Sequence, residues 1–146
     1  MRIGEVMTNR VETVPAGESV KNALRVMRAK RIRHLVVQLG GGAVGVVSIR
    51  DLDSFVSDRS IRTVADVMTA PAVTGSPHMT VREAANLLRG RTIGCLPVLD
   101  RGKLVGILTT TDLLDLIGRG SERPVSKGKR WVMKGRGPRR KSAVAG

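Results

Sequence analysis

Ser48 with Asp51, and Thr109 with Asp112, are the residues of this chain whose types and spacing can do chemistry. A hydroxyl at a helix start and a carboxylate three residues on share one helix face. The helix start adds unpaired N–H groups and the positive dipole end, which suit an anion such as phosphate. A carboxylate on the same face can accept hydrogen bonds from the hydroxyls of a ribose. Phosphate and ribose together describe a nucleotide. On its own, a hydroxyl followed three residues later by an acid reads as a capping box. Here the pattern occurs twice in matching surroundings: Gly45-Val46-Val47-Ser48-Ile49-Arg50-Asp51 returns sixty-one residues later as Gly106-Ile107-Leu108-Thr109-Thr110-Thr111-Asp112. That repetition favours the ligand reading over the cap.

The elements needed to position these residues also come in pairs. Val6-Met7-Thr8 recurs at the same offset as Val67-Met68-Thr69. Residues 11–14 read as a short strand, broken by Pro15-Ala16-Gly17. From Ser19, a plausible N-cap, the apolar positions Val20, Ala23, Leu24 and Met27 form the stripe of an amphipathic helix. Its end is expected near Arg31, in a basic cluster that suits the negative dipole end. Residues 35–39 and 44–47 read as a hairpin turned by Gly40-Gly41-Gly42, and Leu52, Phe55 and Val56 as the apolar face of the helix after Ser48. In the second half, residues 72–74 are the expected first strand, and Thr80 with Glu83 fits a capping box. Val81, Ala84 and Leu88 repeat the helical stripe. Residues 96–99 and 104–108 form a second hairpin, and Thr109 opens a helix to about Ile117. Pro97 inside a strand suggests an edge or a strand start. The chain is therefore read as α+β, with two β-α-β-β-α repeats over residues 1–60 and 61–120. One such unit is too small to cover its own strands, so the two are expected to pack together.

With 146 residues, 41% of them hydrophobic, the chain can bury a proper core. One Phe, one Trp and no Tyr mean that this core is aliphatic, and an adenine ring would lie between aliphatic side chains. The single cysteine, Cys95, allows no internal disulfide and fits a reducing compartment. No signal peptide or membrane-spanning run is visible, so a cytoplasmic location is expected. His34, His78 and Cys95 have no short ligand spacing, so no metal site is expected. No nucleophile, base and orienting group can be named together, and no Walker-type loop occurs, so the chain is not read as an enzyme. The net charge of +14 is concentrated at the end: residues 119–146 hold ten Lys/Arg and one acid. Residues 121–146 are read as a flexible basic tail whose charge aids solubility. The alternative is a nucleic-acid contact in which Lys129, Arg130, Arg139 and Arg140 meet phosphates and Trp131 stacks on a base.

The duplicated Val-Met-Thr, the run Leu96-Pro97-Val98-Leu99-Asp100, and Gly-Ile-Leu-Thr-Thr-Thr-Asp-Leu over residues 106–113 resemble a tandem pair of cystathionine-β-synthase (CBS) domains, a Bateman module. In the first repeat Val36 stands where the family usually has Pro. The resemblance implies two repeats related by a pseudo-two-fold axis, with clefts between their sheets. It also implies adenosine ligands (AMP, ADP, ATP or S-adenosylmethionine), a homodimer, and a sensor that regulates a partner without a cofactor of its own. Matched by position, Ser48 and Asp51 take the phosphate and ribose roles in one cleft, and Thr109 and Asp112 in the other. Thr13 with Val14, and Thr74 with Gly75, match the backbone that faces adenine. Arg33 and His34 occupy the place of a phosphate-reaching basic pair, whereas the second repeat has Gly94 and Cys95 there. The two places are therefore expected to be unequal.

Overall fold

The computed structural model of the chain describes residues 1–40 and 42–119. The chain forms two compact units. One contains Glu12–Val73; the other combines Met1–Val11 with the described residues from Thr74 to Arg119. The opening segment thus packs with the second repeat, and residues 61–73 pack with the first.

In the first repeat, β1 (Thr13–Pro15) runs parallel to β2 (His34–Leu39), which pairs antiparallel with β3 (Gly42–Ser48). α1 (Val20–Lys30) lies between β1 and β2, and α2 (Ile49–Phe55) follows β3. Ser19 caps α1, its hydroxyl accepting the Asn22 N–H at 3.1 Å, and Arg31 ends it in a left-handed conformation. The predicted stripe is the buried face: Val20, Ala23, Leu24 and Met27 join Val14, Leu35, Val37, Val47, Leu52 and Val64 in one aliphatic core. The expected apolar face of α2 is only partly used. Leu52 is buried, but Phe55 and Val56 are 40% and 38% exposed.

The second repeat has α3 (Val81–Arg91), the hairpin of β4 (Cys95–Asp100) and β5 (Lys103–Thr109), and α4 (Thr110–Arg119). Thr80 caps α3, accepting the Glu83 N–H and donating its hydroxyl to the Glu83 carboxylate, both at 3.0 Å. Its first strand is not where the sequence placed it. Residues 72–74 form no strand, and a single parallel bridge joins Gly75 to Val98.

Two prolines account for that difference. In the first repeat the Val36 N–H donates to Glu12 O and the Ala16 N–H to Gln38 O, extending the ladder at either end. The equivalent donors sixty-one residues on are Pro97 and Pro77, which have no N–H to give. Only the central pair survives: Gly75 N–H to Pro97 O and Leu99 N–H to Gly75 O, both 2.9 Å. Because the Pro97 carbonyl faces Gly75, its ring nitrogen faces the same side, and the β4–β5 ladder loses nothing. Pro97 therefore sits in mid-strand, on the edge that bears only a bridge.

The Val-Met-Thr copies take equivalent places on the other hairpin edge. Thr69 exchanges two backbone hydrogen bonds with Val46 of β3, and Thr8 exchanges two with Ile107 of β5. At each place the hairpin strand offers a glycine. A methyl group on Gly45 would meet Thr69 O at 2.7 Å and Met68 Sδ at 2.9 Å; one on Gly106 would meet Met7 Sδ at 2.5 Å. Ile3, Val6 and Met7 are buried, and backbone bonds from Ile3 to Met79, from Gly4 to Pro77 and from Val81 to Met1 fix the opening segment within the second repeat. Among the described residues, no helix is long and apolar enough to cross a membrane.

Candidate functional site

Parallel pairing of β1 with β2, and antiparallel pairing of β2 with β3, puts the starts of β1 and β2 and the end of β3 at one end of the sheet. Thr13, Arg33, His34, Ser48 and Asp51 gather there. His34 is the register partner of Ser48, and the Ile49 N–H donates to Arg33 O at 2.8 Å. Thr13, exposed on the edge strand, is the partner of Val36, while the Val14 side chain is buried in the core.

Ser48 caps α2, its hydroxyl accepting the Asp51 N–H at 3.1 Å. The Asp51 carboxylate is half-buried and accepts no hydrogen bond from the described residues, and its charge acts on His34. His34, also half-buried, has its imidazole pushed below the ordinary value of 6.5 mainly by loss of water; the Asp51 charge opposes this and the Arg33 charge adds to it. The same interactions place His34 within electrostatic reach of both charges.

As pH falls below 6.5 the unfolded chain takes up a proton that folded His34 resists, so stability declines through that window. Replacing His34 with Gln should flatten the fall in melting temperature between about pH 7 and pH 5.5, a range set by the ordinary His titration. An unchanged slope would show that His34 is readily protonated in the folded chain.

The equivalent place in the second repeat is built from the same backbone but filled differently. The Asp112 N–H donates to Thr109 Oγ1 at 3.1 Å, and the Thr109 N–H returns a bond to Asp112 Oδ2 at 2.9 Å. The Thr8 hydroxyl also donates to the carboxylate, at 3.3 Å to Oδ1. Asp112 is fully buried. Cys95, the counterpart of His34, is buried with its thiol pushed up to about 12, so it supplies no charge at neutral pH. Gly75 has both backbone polar groups engaged with β4, and half-buried Thr74 precedes it.

Two residues of this picture escaped the sequence reading. Thr8 closes a duplicated motif, which was signal enough to mark it but not to pair it with Asp112. Arg50 lies inside the duplicated stretch itself, and its counterpart is Thr111. Among the described residues no group of three or more His, Cys, Asp or Glu is arranged to hold a metal. Lys129, Arg130, Trp131, Arg139 and Arg140 lie outside the described residues.

The CBS domain family model matches the chain twice, over residues 3–58 and 64–119. The chain belongs to the CBS-domain family, as a tandem pair. It is 30% identical to the CBS domain-containing protein YhcV of Bacillus subtilis over 114 residues, covering 76% of this chain and 81% of YhcV. It is 32% identical to homoserine O-acetyltransferase of Methanococcoides burtonii over 118 residues, 80% of this chain and 24% of that enzyme. The chain thus spans about a quarter of the length of such enzymes. Among solved structures, CBSX2 in complex with AMP superposes with a TM-score of 0.68 at 31% identity, covering 77% of this chain and 93% of that one.

Proposed function

We propose that this chain is a regulatory module that binds an adenine nucleotide at the sheet end of its first repeat. The carrying observation is that the Asp51 carboxylate, which accepts no hydrogen bond from the described residues, follows the Ser48 cap at the sheet end where Arg33 and His34 lead into β2. Asp51 would accept from the ribose hydroxyls, Ser48 and Arg33 would meet phosphate, and the backbone around Thr13 would face the base. The AMP bound to CBSX2 supports the ligand class. Regulation requires that the nucleotide bind one conformational or dimeric state more tightly than another, and that a partner read the difference.

Calorimetry on the full chain with AMP, ADP, ATP and S-adenosylmethionine tests the reading. At least one should bind, and Asp51→Ala should weaken it by at least tenfold, the loss expected when two charge-assisted hydrogen bonds disappear. Binding of none of the four would leave the module without a sensor role.

A further inference from the structure

The basic residues around the first-repeat site are not equally committed. Arg28 is paired with Asp53 at 2.6 Å and Lys30 with Glu12 at 3.1 Å. Arg33 and Arg50 are exposed, and neither guanidinium has a hydrogen bond or ion pair among the described residues. The two flank Ile49, whose N–H is bonded to the Arg33 carbonyl, and Arg50 directly precedes Asp51. The charges settle what such a site can hold. Asp51 and one guanidinium cancel, so Arg33 alone would leave a phosphate facing no net charge. Arg50 supplies the surplus cation. In the second repeat the three counterparts of Arg33, His34 and Arg50 are Gly94, Cys95 and Thr111, none of which is cationic. Its aspartate is buried and already bonded to Thr8 and Thr109.

We infer that the first repeat selects adenine nucleotides by the length of their phosphate chain, Arg50 with Arg33 favouring the di- and triphosphate, and that the second repeat binds no charged nucleotide. This rests on the reading of the first-repeat site given above and adds to it the ligand's charge and the number of sites. A guanidinium fork is suited to successive phosphate oxygens, and an exposed pair gains with each added negative charge until salt screens it.

The test is calorimetry on the full chain with adenosine, AMP, ADP and ATP at low ionic strength without divalent cations. ATP should bind about tenfold more tightly than AMP, at one site per chain, as expected for one further charge-assisted contact. Arg50→Gln should collapse that ratio to about twofold or less, with its melting temperature held as the control for folding. Equal affinity for AMP and ATP, an unchanged ratio in the Arg50→Gln variant, or two sites per chain would overturn the inference while leaving the sensor reading intact. Failure of every nucleotide to bind would overturn both.

Discussion

Asp112→Ala should destabilise the protein by roughly 3 kcal/mol, whereas Asp51→Ala should leave its stability nearly unchanged, although the two residues are equivalent by position. The difference lies in what each carboxylate holds. Asp112 is fully buried and accepts from the Thr109 N–H and the Thr8 hydroxyl. Removing it leaves the half-buried Thr109 N–H unpaired at the start of α4 and releases the Thr8 hydroxyl of the opening segment. Asp51 holds nothing among the described residues through its oxygens, and its own N–H keeps its bond to Ser48 whatever the side chain. Urea unfolding of both variants is the measurement, with Asp112→Asn as a control that keeps one acceptor oxygen and should recover part of the loss. Equal effects from Asp51→Ala and Asp112→Ala would show that the two aspartates share one role.

Gly45→Ala should destabilise by about 2–3 kcal/mol, and Gly106→Ala by distinctly less. Both new methyl groups meet an atom closer than 3 Å, but the obstacles differ. At Gly45 one is the Thr69 carbonyl oxygen, part of the backbone pair with Val46, so relief requires parting two hydrogen-bonded segments. At Gly106 the three nearest atoms all belong to the Met7 side chain, which has rotatable bonds with which to move. Thermal melts of the two variants would show the order; a larger effect at Gly106 would mean that Met7 is held as rigidly as backbone.

Much of this fold was legible in the residues. The sixty-one-residue offset found the repeats, and the stripe Val20, Ala23, Leu24, Met27 is the buried face of α1, because an aliphatic core leaves helical periodicity undisguised. The lost strand at residues 72–74 was legible only in part. Pro77 and Pro97 each announce a missing donor, but that both removed bonds from one ladder depends on parallel pairing with β4, which local pattern does not reveal. The inequality of the two candidate sites was visible in Arg33-His34 against Gly94-Cys95. Its deeper cause was not, since Thr8 reaches Asp112 across 104 residues of chain. Sequence spacing reports which groups share a helix face, and it is silent about a partner brought in from the far end.

The packing of Met1–Val11 with the second repeat sets an order of events during synthesis. Residues 1–11 are made well before the partners that hold them, because Met79, Pro77 and Ile107 must follow before Ile3, Gly4 and Thr8 have anything to bind. The first repeat has the shorter wait, closing once Thr69 can reach Val46. A chain released at residue 73 would therefore hold every residue of the first unit, while Ile3, Val6 and Met7, apolar side chains that the longer chain keeps from water, would lack the partners that bury them.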